Sequence, residues 1–212
     1  MSVRVIVGLG NPGPRYDGTR HNIGFHIIDA LAQAAGVNWR DEPRYRAHTT
    51  TVTLNNRPVL LAKPQTYMNA SGRAVGEICR YLKLQPAEIC VVYDELQIPV
   101  GGLKVSLQGG PGGHNGIADL IQRIGPKFVR FRIGVGSEEK TSETLTDFVL
   151  SRFTDVERAT VEANLVRYLD GLRMIIAQGP VLAMNSLNQK PKPPPEPHEP
   201  HGNEKLPRDD HL

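Results

Sequence analysis

The stretch IVGLGNPGPRYDGTRHNIGF, residues 6 to 25, indicates how the chain begins to fold. The apolar run at residues 3 to 9 is typical of a strand that is buried in a parallel sheet. A Gly-x-Gly-x-x-Gly pattern then starts at Gly8, and a helical pattern follows at 22 to 35. A buried strand, a glycine-rich loop and a helix in this order predict an α/β domain.

The glycine spacing matches the dinucleotide-binding fingerprint, but its context does not. Pro12 and Pro14 flank the third glycine, and the helical signal starts only near His21. The acidic residue expected about 20 residues further on, at the end of a second strand, is missing, since Asp29 lies inside the helical pattern. A nucleotide-dependent oxidoreductase is therefore disfavoured. The loop is better interpreted as a tight turn that presents Asn11 at the carboxyl end of a strand.

Strand and helix patterns alternate along the rest of the chain up to residue 188. They predict a single domain with a twisted, mixed, mostly parallel sheet flanked by helices. Strands are predicted at 45 to 54, 57 to 62, 88 to 94, 102 to 108 and 127 to 136, with a hairpin turn at Asn55 and Asn56. Helices are predicted at 71 to 83, 115 to 124 and 155 to 178, the last with Val156, Ala159, Val166, Leu169 and Leu172 facing inward.

The composition changes at Gln189, where QKPKPPPEPHEPHGNEKLPRDDHL begins. This segment holds seven of the 17 prolines and almost no apolar residue. It cannot bury enough surface to offset its ordering entropy, so disorder is predicted. We therefore expect one domain at 1–188 and a disordered tail at 189–212.

The overall composition narrows the class of protein. The chain has 25 basic and 22 acidic residues, a net charge of +3, which permits a nucleic-acid partner without requiring one. Cys79 and Cys90 are the only cysteines, so structural zinc and a disulfide framework are disfavoured. The N-terminus does not resemble a signal peptide, and no apolar run reaches the roughly 18 residues of a membrane span. These features predict a soluble cytoplasmic protein.

Three further loops carry polar residues at the ends of predicted elements. They are KPQTYMNASG at 63 to 72, YDELQIPVG at 93 to 101 and GGPGGHNG at 109 to 116. Glycine in the last loop allows a ligand to approach the backbone closely. That loop lacks Gly-Lys-Ser/Thr, so a nucleoside-triphosphate P-loop is not supported.

Together the four loops carry a family resemblance. VGLGNPGPRYDGTRHNIGF, KPQTYMNASG, VVYDELQIP and GGPGGHNG resemble, in order and spacing, the four signature stretches of bacterial-type peptidyl-tRNA hydrolase. The resemblance covers about residues 3 to 187. It implies hydrolysis of the ester between a peptide and the 3′ ribose of tRNA, which releases stalled tRNA for reuse. It also implies a cytoplasmic monomer without a cofactor or metal.

The residue types agree with a reaction that uses a general base. No Gly-x-Ser-x-Gly elbow is present, and both cysteines fall at core positions. Histidine suits the task because its ordinary pKa, about 6.5, leaves it able to accept a proton at neutral pH. His21 and His114 are the candidates. The resemblance assigns catalysis to His21 with Asp94 as its hydrogen-bond partner, so we expect His114 to shape its loop or contact substrate.

The resemblance also assigns substrate contacts. Asn11 is expected in the catalytic group, where it distinguishes a blocked amino end from a free one. Amides can donate and accept hydrogen bonds, and aromatic rings can stack on bases or pack on peptide. The expected substrate and tRNA contacts are Tyr16, Tyr67, Met68, Asn69, His114 and Asn115.

Cationic residues for the tRNA backbone are predicted at Lys104, Arg130 and Arg132. Strand alternation places both arginines on one side of the sheet. The family usually has a basic residue where this chain has Ser106, and an acidic residue where it has Gln97. The lack of a basic residue at Ser106 concerns the affinity for tRNA and leaves the expected chemistry unchanged.

Two further expectations complete the sequence analysis. The polar stretch 136 to 148 is expected to form a mobile flap and a helix over the cleft. An RNA-binding protein on the same scaffold, like homologues that serve plastid intron splicing, is the alternative from another class. The intact pair of His21 and Asp94, together with the asparagines, favours the enzyme.

Overall fold

The computed structural model describes residues 2–137 and 144–189. Most of the predicted tail and the centre of the predicted flap lie outside the described residues. In order along the chain, the elements are β1 Val5–Gly8, α1 Ile23–Ala34, β2 Arg40–Glu42, β3 Ala47–Leu54, β4 Arg57–Pro64, α2 Ser71–Leu82, β5 Ile89–Pro99, β6 Leu103–Ser106, α3 Asn115–Ile124, β7 Val129–Gly136, α4 Leu145–Leu150, α5 Asp155–Ala163, α6 Leu165–Gln178 and α7 Pro180–Leu187. None of these helices combines the length and apolarity needed to cross a membrane.

The strands form one sheet in the order β2-β3-β4-β1-β5-β7-β6. β1 runs parallel to both β4 and β5, and β5 runs parallel to β7. The pairs β2–β3, β3–β4 and β6–β7 are antiparallel, so β3 and β6 alone oppose the common direction. The predicted single α/β domain with a mixed, mostly parallel sheet is confirmed.

Helices cover both faces of the sheet because side chains alternate along each buried strand. Ile6 belongs to a core cluster that includes buried residues of α1 and α6, among them Ile27 and Leu172. Its neighbour Val7 belongs to a second cluster, with Ile78 of α2 and Leu120 of α3. The strand β1 is therefore buried on both sides, and its carboxyl end opens between the two helical layers.

The hairpin between β3 and β4 turns where the sequence predicts it. Asn55 and Asn56 have φ angles of 49° and 59°. Positive φ at both central residues is the type I′ geometry that matches the twist of the flanking strands. The register pairs Leu54 with Arg57 next to the turn and Ala47 with Pro64 at the other end of the hairpin. β4 therefore ends where the loop at residues 63 to 72 begins.

The prediction of one helix at 155 to 178 is wrong. The chain breaks at Asn164 into α5 and α6, and α7 follows without having been predicted. Three residues expected to face inward are exposed: Val156, Ala159 and Val166. The buried positions of the two helices are Val161, Tyr168, Leu169, Gly171, Leu172, Ile175 and Ile176. The prediction continues one helical period across the break at Asn164. The predicted inward face is therefore wrong in α5 and at the start of α6.

Candidate active site

A cleft of about 500 Å³ opens at the carboxyl ends of β1 and β4 and beside the middle of β5. Parallel strands end at one edge of a sheet, so the loops that follow them meet there. The cleft is lined by all of the predicted catalytic and substrate-contact residues: Asn11, Tyr16, His21, Tyr67, Met68, Asn69, Asp94, His114 and Asn115. Side chains of α4 form one further wall.

His21 lies in a 3₁₀ turn, Arg20–Asn22, directly before α1. Its Nδ1 is 2.9 Å from each carboxylate oxygen of Asp94, a buried residue within β5. Asp94 is ionised, so Nδ1–H of His21 donates to it and the lone pair is on Nε2. The side chain of His21 is 10% exposed and lines the cleft, which leaves Nε2 as the atom able to accept a proton.

His114 contacts the same carboxylate through its other ring nitrogen. Its Nδ1 accepts hydrogen bonds from the backbone N–H groups of Gly116 at 3.1 Å and Ile117 at 3.3 Å, and so caps α3. A nitrogen that accepts from two amides carries no hydrogen, so Nε2–H donates to Asp94 Oδ1 at 3.0 Å. Both nitrogens of His114 therefore have partners inside the protein, unlike those of His21.

The two imidazoles decide the charge of Asp94. Burial alone would raise the pKa of its carboxyl group. Electrostatic interactions and hydrogen bonds with His114 and His21 together outweigh burial and lower that pKa well below its usual range. Asp94 is therefore a carboxylate at neutral pH, as a partner for an imidazolium must be.

His21, Asp94 and His114 also form the one group, among residues 2–137 and 144–189, whose ligand atoms lie close enough to share a metal ion, within 4.8 Å of one another. A metal on Nε2 of His114 would require the hydrogen to move to Nδ1. The hydrogen on Nδ1 would then point at the N–H groups of Gly116 and Ile117, which is unfavourable because all three are donors. The arrangement thus suits a hydrogen-bonded cluster better than a metal centre.

Asn11 is held on both its backbone and its side chain. Asn22 accepts from the backbone N–H of Asn11 at 2.8 Å and donates to its carbonyl at 2.9 Å. The side-chain oxygen of Asn11 accepts from the N–H of Met68 at 2.7 Å. These contacts leave the NH₂ group of Asn11 as the free donor. Sequence reasoning missed Asn22, and only its place beside His21 could have drawn attention to it.

The other expected substrate contacts line the mouth and floor of the cleft. Tyr67 is 58% exposed, and its ring meets that of Tyr16 edge-on at 6.4 Å. Asn69 and Asn115 are exposed just before α2 and at the start of α3. Met68 is buried beneath them, and a Cβ at Gly116 would lie 2.6 Å from its sulfur. Met68 therefore supports the floor more than it faces solvent.

Arg20 connects the turn that holds His21 to the α4 wall, and sequence reasoning missed it. Its guanidinium donates to both carboxylate oxygens of Glu157, at 2.9 and 2.7 Å, and lies over the ring of Phe148. Its backbone N–H donates to Ser151 just after α4. The helical part of the predicted flap, α4, thus borders the cleft with Leu145 and other side chains.

The predicted phosphate-binding residues do not behave alike. Lys104 pairs with Arg132, and Ser106 with Arg130, so the four positions share one face of β6 and β7. Arg130 is only 3% exposed and donates to the carbonyls of Gly109 and, at 2.6 Å, Gly110. The prediction that Arg130 contacts phosphate is therefore corrected, because its charge supports the glycine-rich loop from below. Arg132 lies 3.4 Å from Glu95, and Lys104 is exposed.

Known proteins match the chain along most of its length. A family model described as peptidyl-tRNA hydrolase matches residues 5–195. The peptidyl-tRNA hydrolase of Chloroflexus aurantiacus is 41% identical over 186 residues, which span 87% of this chain and 98% of that protein. The peptidyl-tRNA hydrolase of Aeromonas hydrophila is 39% identical over 188 residues, which span 88% of this chain and 94% of that protein. The crystal structure of peptidyl-tRNA hydrolase from Acinetobacter baumannii superposes with a TM-score of 0.81 at 34% sequence identity. The match covers 88% of this chain and 94% of that one.

Proposed function

The chain belongs to the peptidyl-tRNA hydrolase family and hydrolyses peptidyl-tRNA, and we propose that His21 is the general base of that reaction, supported by Asp94. The observation that carries the proposal is the contrast between the two histidines. Asp94 holds Nδ1 of His21 and leaves Nε2 for the cleft, whereas both nitrogens of His114 are engaged internally. A proton acceptor must reach its substrate before its basicity matters.

The reaction then follows as two steps. Nε2 of His21 takes a proton from a water molecule as the water oxygen attacks the ester carbonyl carbon. Asp94 stabilises the imidazolium that forms. When the tetrahedral intermediate collapses, the bond to the ribose 3′ oxygen breaks and His21 returns the proton to that oxygen. The products are a peptide with a free carboxyl group and a tRNA with a free 3′ hydroxyl.

The orientation of Asn11 supports a role in recognising blocked substrates. Its oxygen is engaged by Met68, so it offers only N–H donors to the cleft. An acylated amino group presents a carbonyl oxygen that can accept such a hydrogen bond, whereas a free ammonium is itself a donor. A donor facing a donor is unfavourable, so free aminoacyl-tRNA should bind less well than peptidyl-tRNA.

The exposed residues around this centre are proposed to hold the rest of the substrate. Tyr16 and Tyr67 offer ring faces to the peptide or a terminal base, and the amides of Asn69 and Asn115 suit the terminal adenosine or the peptide backbone. We propose that the protein acts as a monomer, as its resemblance to the family implies. The substrate is formed where translation takes place, which supports the cytoplasm as its location.

The test measures turnover of N-acetyl-aminoacyl-tRNA by the wild type, His21→Ala and the control His48→Ala. His48 lies on β3, outside the cleft lining. Loss of a general base should lower kcat for His21→Ala by about 10²- to 10⁴-fold. Binding of tRNA should stay within about twofold, because the surface contacts remain. Unchanged turnover in His21→Ala would reject the assignment, and wild-type binding without hydrolysis would favour the RNA-binding alternative.

The same assay tests Asn11 with blocked and free aminoacyl-tRNA. The wild type should prefer the blocked substrate, and Asn11→Ala should narrow the ratio of the two kcat/KM values. The ratio should narrow because kcat/KM falls for the blocked substrate, whose carbonyl oxygen no longer receives a hydrogen bond from Asn11. An unchanged ratio would remove Asn11 from substrate discrimination.

A further inference from the structure

We propose that His114 is a positioning residue, a fixed hydrogen-bond donor that holds Asp94 for His21 and ties the substrate-binding start of α3 to the catalytic pair. The proposal rests on the roles proposed above for His21 and Asp94. In this proposal His114 acts neither as the general base nor as a substrate contact, the two roles that its place in the sequence suggests.

The first step of the argument concerns the tautomer. Most histidine side chains can exchange hydrogen between their two nitrogens. In His114 the two amides of α3 are donors that cannot reverse, so Nδ1 has to accept and Nε2 has to donate. Tyr93 packs edge-on against the ring at 5.0 Å, which limits its rotation. The imidazole therefore presents a hydrogen to Asp94 at all times.

The second step concerns the carboxylate. The Oδ1 atom of Asp94 accepts from Nε2 of His114 at 3.0 Å, while Nδ1 of His21 lies 2.9 Å from both oxygens. A carboxylate turns easily about its terminal bond when it has a single donor, because that torsion is broad. A second donor from a different element fixes its plane. The centroids of the two imidazole rings lie 4.9 Å apart, and both rings contact this shared carboxylate.

The third step concerns the glycine-rich loop. Gly112 and Gly113 have positive φ, at 60° and 83°, in a segment with little side-chain packing. Arg130 binds the carbonyls at the beginning of the loop, and His114 anchors its end. Asn115 is the next residue and lines the cleft. The bond from His114 to Asp94 thus sets the distance between a proposed substrate contact and the catalytic pair.

The variant His114→Asn separates capping from positioning. Asparagine is a strong helix N-cap, so it can still accept from the amides of α3. Its side chain is shorter and cannot at the same time donate to Asp94. His114→Ala removes both contacts, and His48→Asn serves as the matched surface control. If capping is the whole role of His114, asparagine should restore what alanine loses.

We expect kcat of His114→Asn to fall by roughly ten- to a hundredfold with little change in KM, because small misplacements in an active site cost about this much. The acid limb of the kcat/KM profile should move to higher pH. Without the hydrogen bond from His114, more of the negative charge of Asp94 acts on His21 and stabilises its protonated form. The ionisable groups in contact with the His114 ring are His21, Tyr93 and Asp94. The same cleft is also lined by Arg15, Tyr16, Tyr67 and Glu95. A kcat and an acid limb equal to wild type would overturn the proposal.

Nitrogen NMR of labelled imidazoles reads the tautomer without reference to activity. At about pH 7, His114 should show an unprotonated Nδ1 and a protonated Nε2, with His114→Asn identifying the resonances. The opposite tautomer would overturn the inference even if His21→Ala is inactive. Full turnover in His21→Ala would instead defeat the proposed function and leave the tautomer result standing, so the two failures are distinguishable.

Discussion

The cluster around Asp94 and the basic face of β6 and β7 both consist of ionisable side chains, but internal partners affect them in opposite ways. At Asp94 the internal hydrogen bonds leave one atom, Nε2 of His21, free toward the cleft. On the basic face they engage the guanidinium of Arg130 and place Glu95 beside Arg132. An internal partner therefore orients His21 for its proposed role as a general base, whereas it engages Arg130 away from phosphate. Four substitutions test this contrast.

The largest effect is expected from Asp94→Asn. Its amide can no longer accept symmetrically from Nδ1 of His21 or stabilise the imidazolium, so the base loses its tautomer and its orientation. We expect kcat to fall on the order of 10²- to 10⁴-fold in the hydrolysis assay. The control is Asp170→Asn, on the exposed side of α6. A kcat within about twofold of wild type would show that His21 does not depend on its carboxylate.

The same variant should change the response to acid. The pKa of folded Asp94 lies below that of an unfolded aspartate, about 3.9. Its contribution to the free energy of unfolding is therefore complete above that pH and is lost as pH falls through the folded value. Urea unfolding of Asp94→Asn should show a flatter decline between about pH 5 and pH 2. Parallel declines in the two proteins would argue against an ionised, hydrogen-bonded Asp94.

An intermediate effect is expected from Arg130→Gln. The substitution leaves the carbonyls of Gly109 and Gly110 without their charged donor and should cost about 1–3 kcal/mol of the free energy of unfolding. The slope of log kcat/KM against log salt should stay at the wild-type value, because Arg130 is buried. Urea unfolding and a salt series measure the two quantities. A smaller slope with unchanged stability would return Arg130 to the phosphate contacts.

The smallest effect is expected from Lys104→Gln. Lys104 is exposed, so its loss should leave the free energy of unfolding within about 0.5 kcal/mol of wild type. If it binds one phosphate, the salt slope should become shallower by about one unit. Ser106→Lys adds a cation two residues along the same face and should steepen the slope by a similar amount. Equal slopes in all three proteins would remove this face from tRNA binding.

Local patterns predicted much of the fold because they act between neighbours in the chain. The apolar run of β1, the turn at Asn55 and Asn56 and the start of α3 each follow from adjacent residues. The same approach failed at Asn164, where two short helices pack separately and one helical period does not apply to both. A break of this kind depends on which surface each helix finds, and the local pattern does not contain that surface.

The sequence by itself determined the α/β class, most of the order of strands and helices, and the four loops that line the cleft, because periodicity, turn residues and signature stretches are written in consecutive residues. Only the tertiary structure decided how those loops share their hydrogen bonds. Asp94 meets His21 across 73 residues and His114 across 20, while Arg130 meets Gly110 across 20. Such pairings depend on distances of a few tenths of an ångström, which the packing of the sheet and its helices sets. For this reason two similar histidines, and two neighbouring arginines, have different environments in the folded protein.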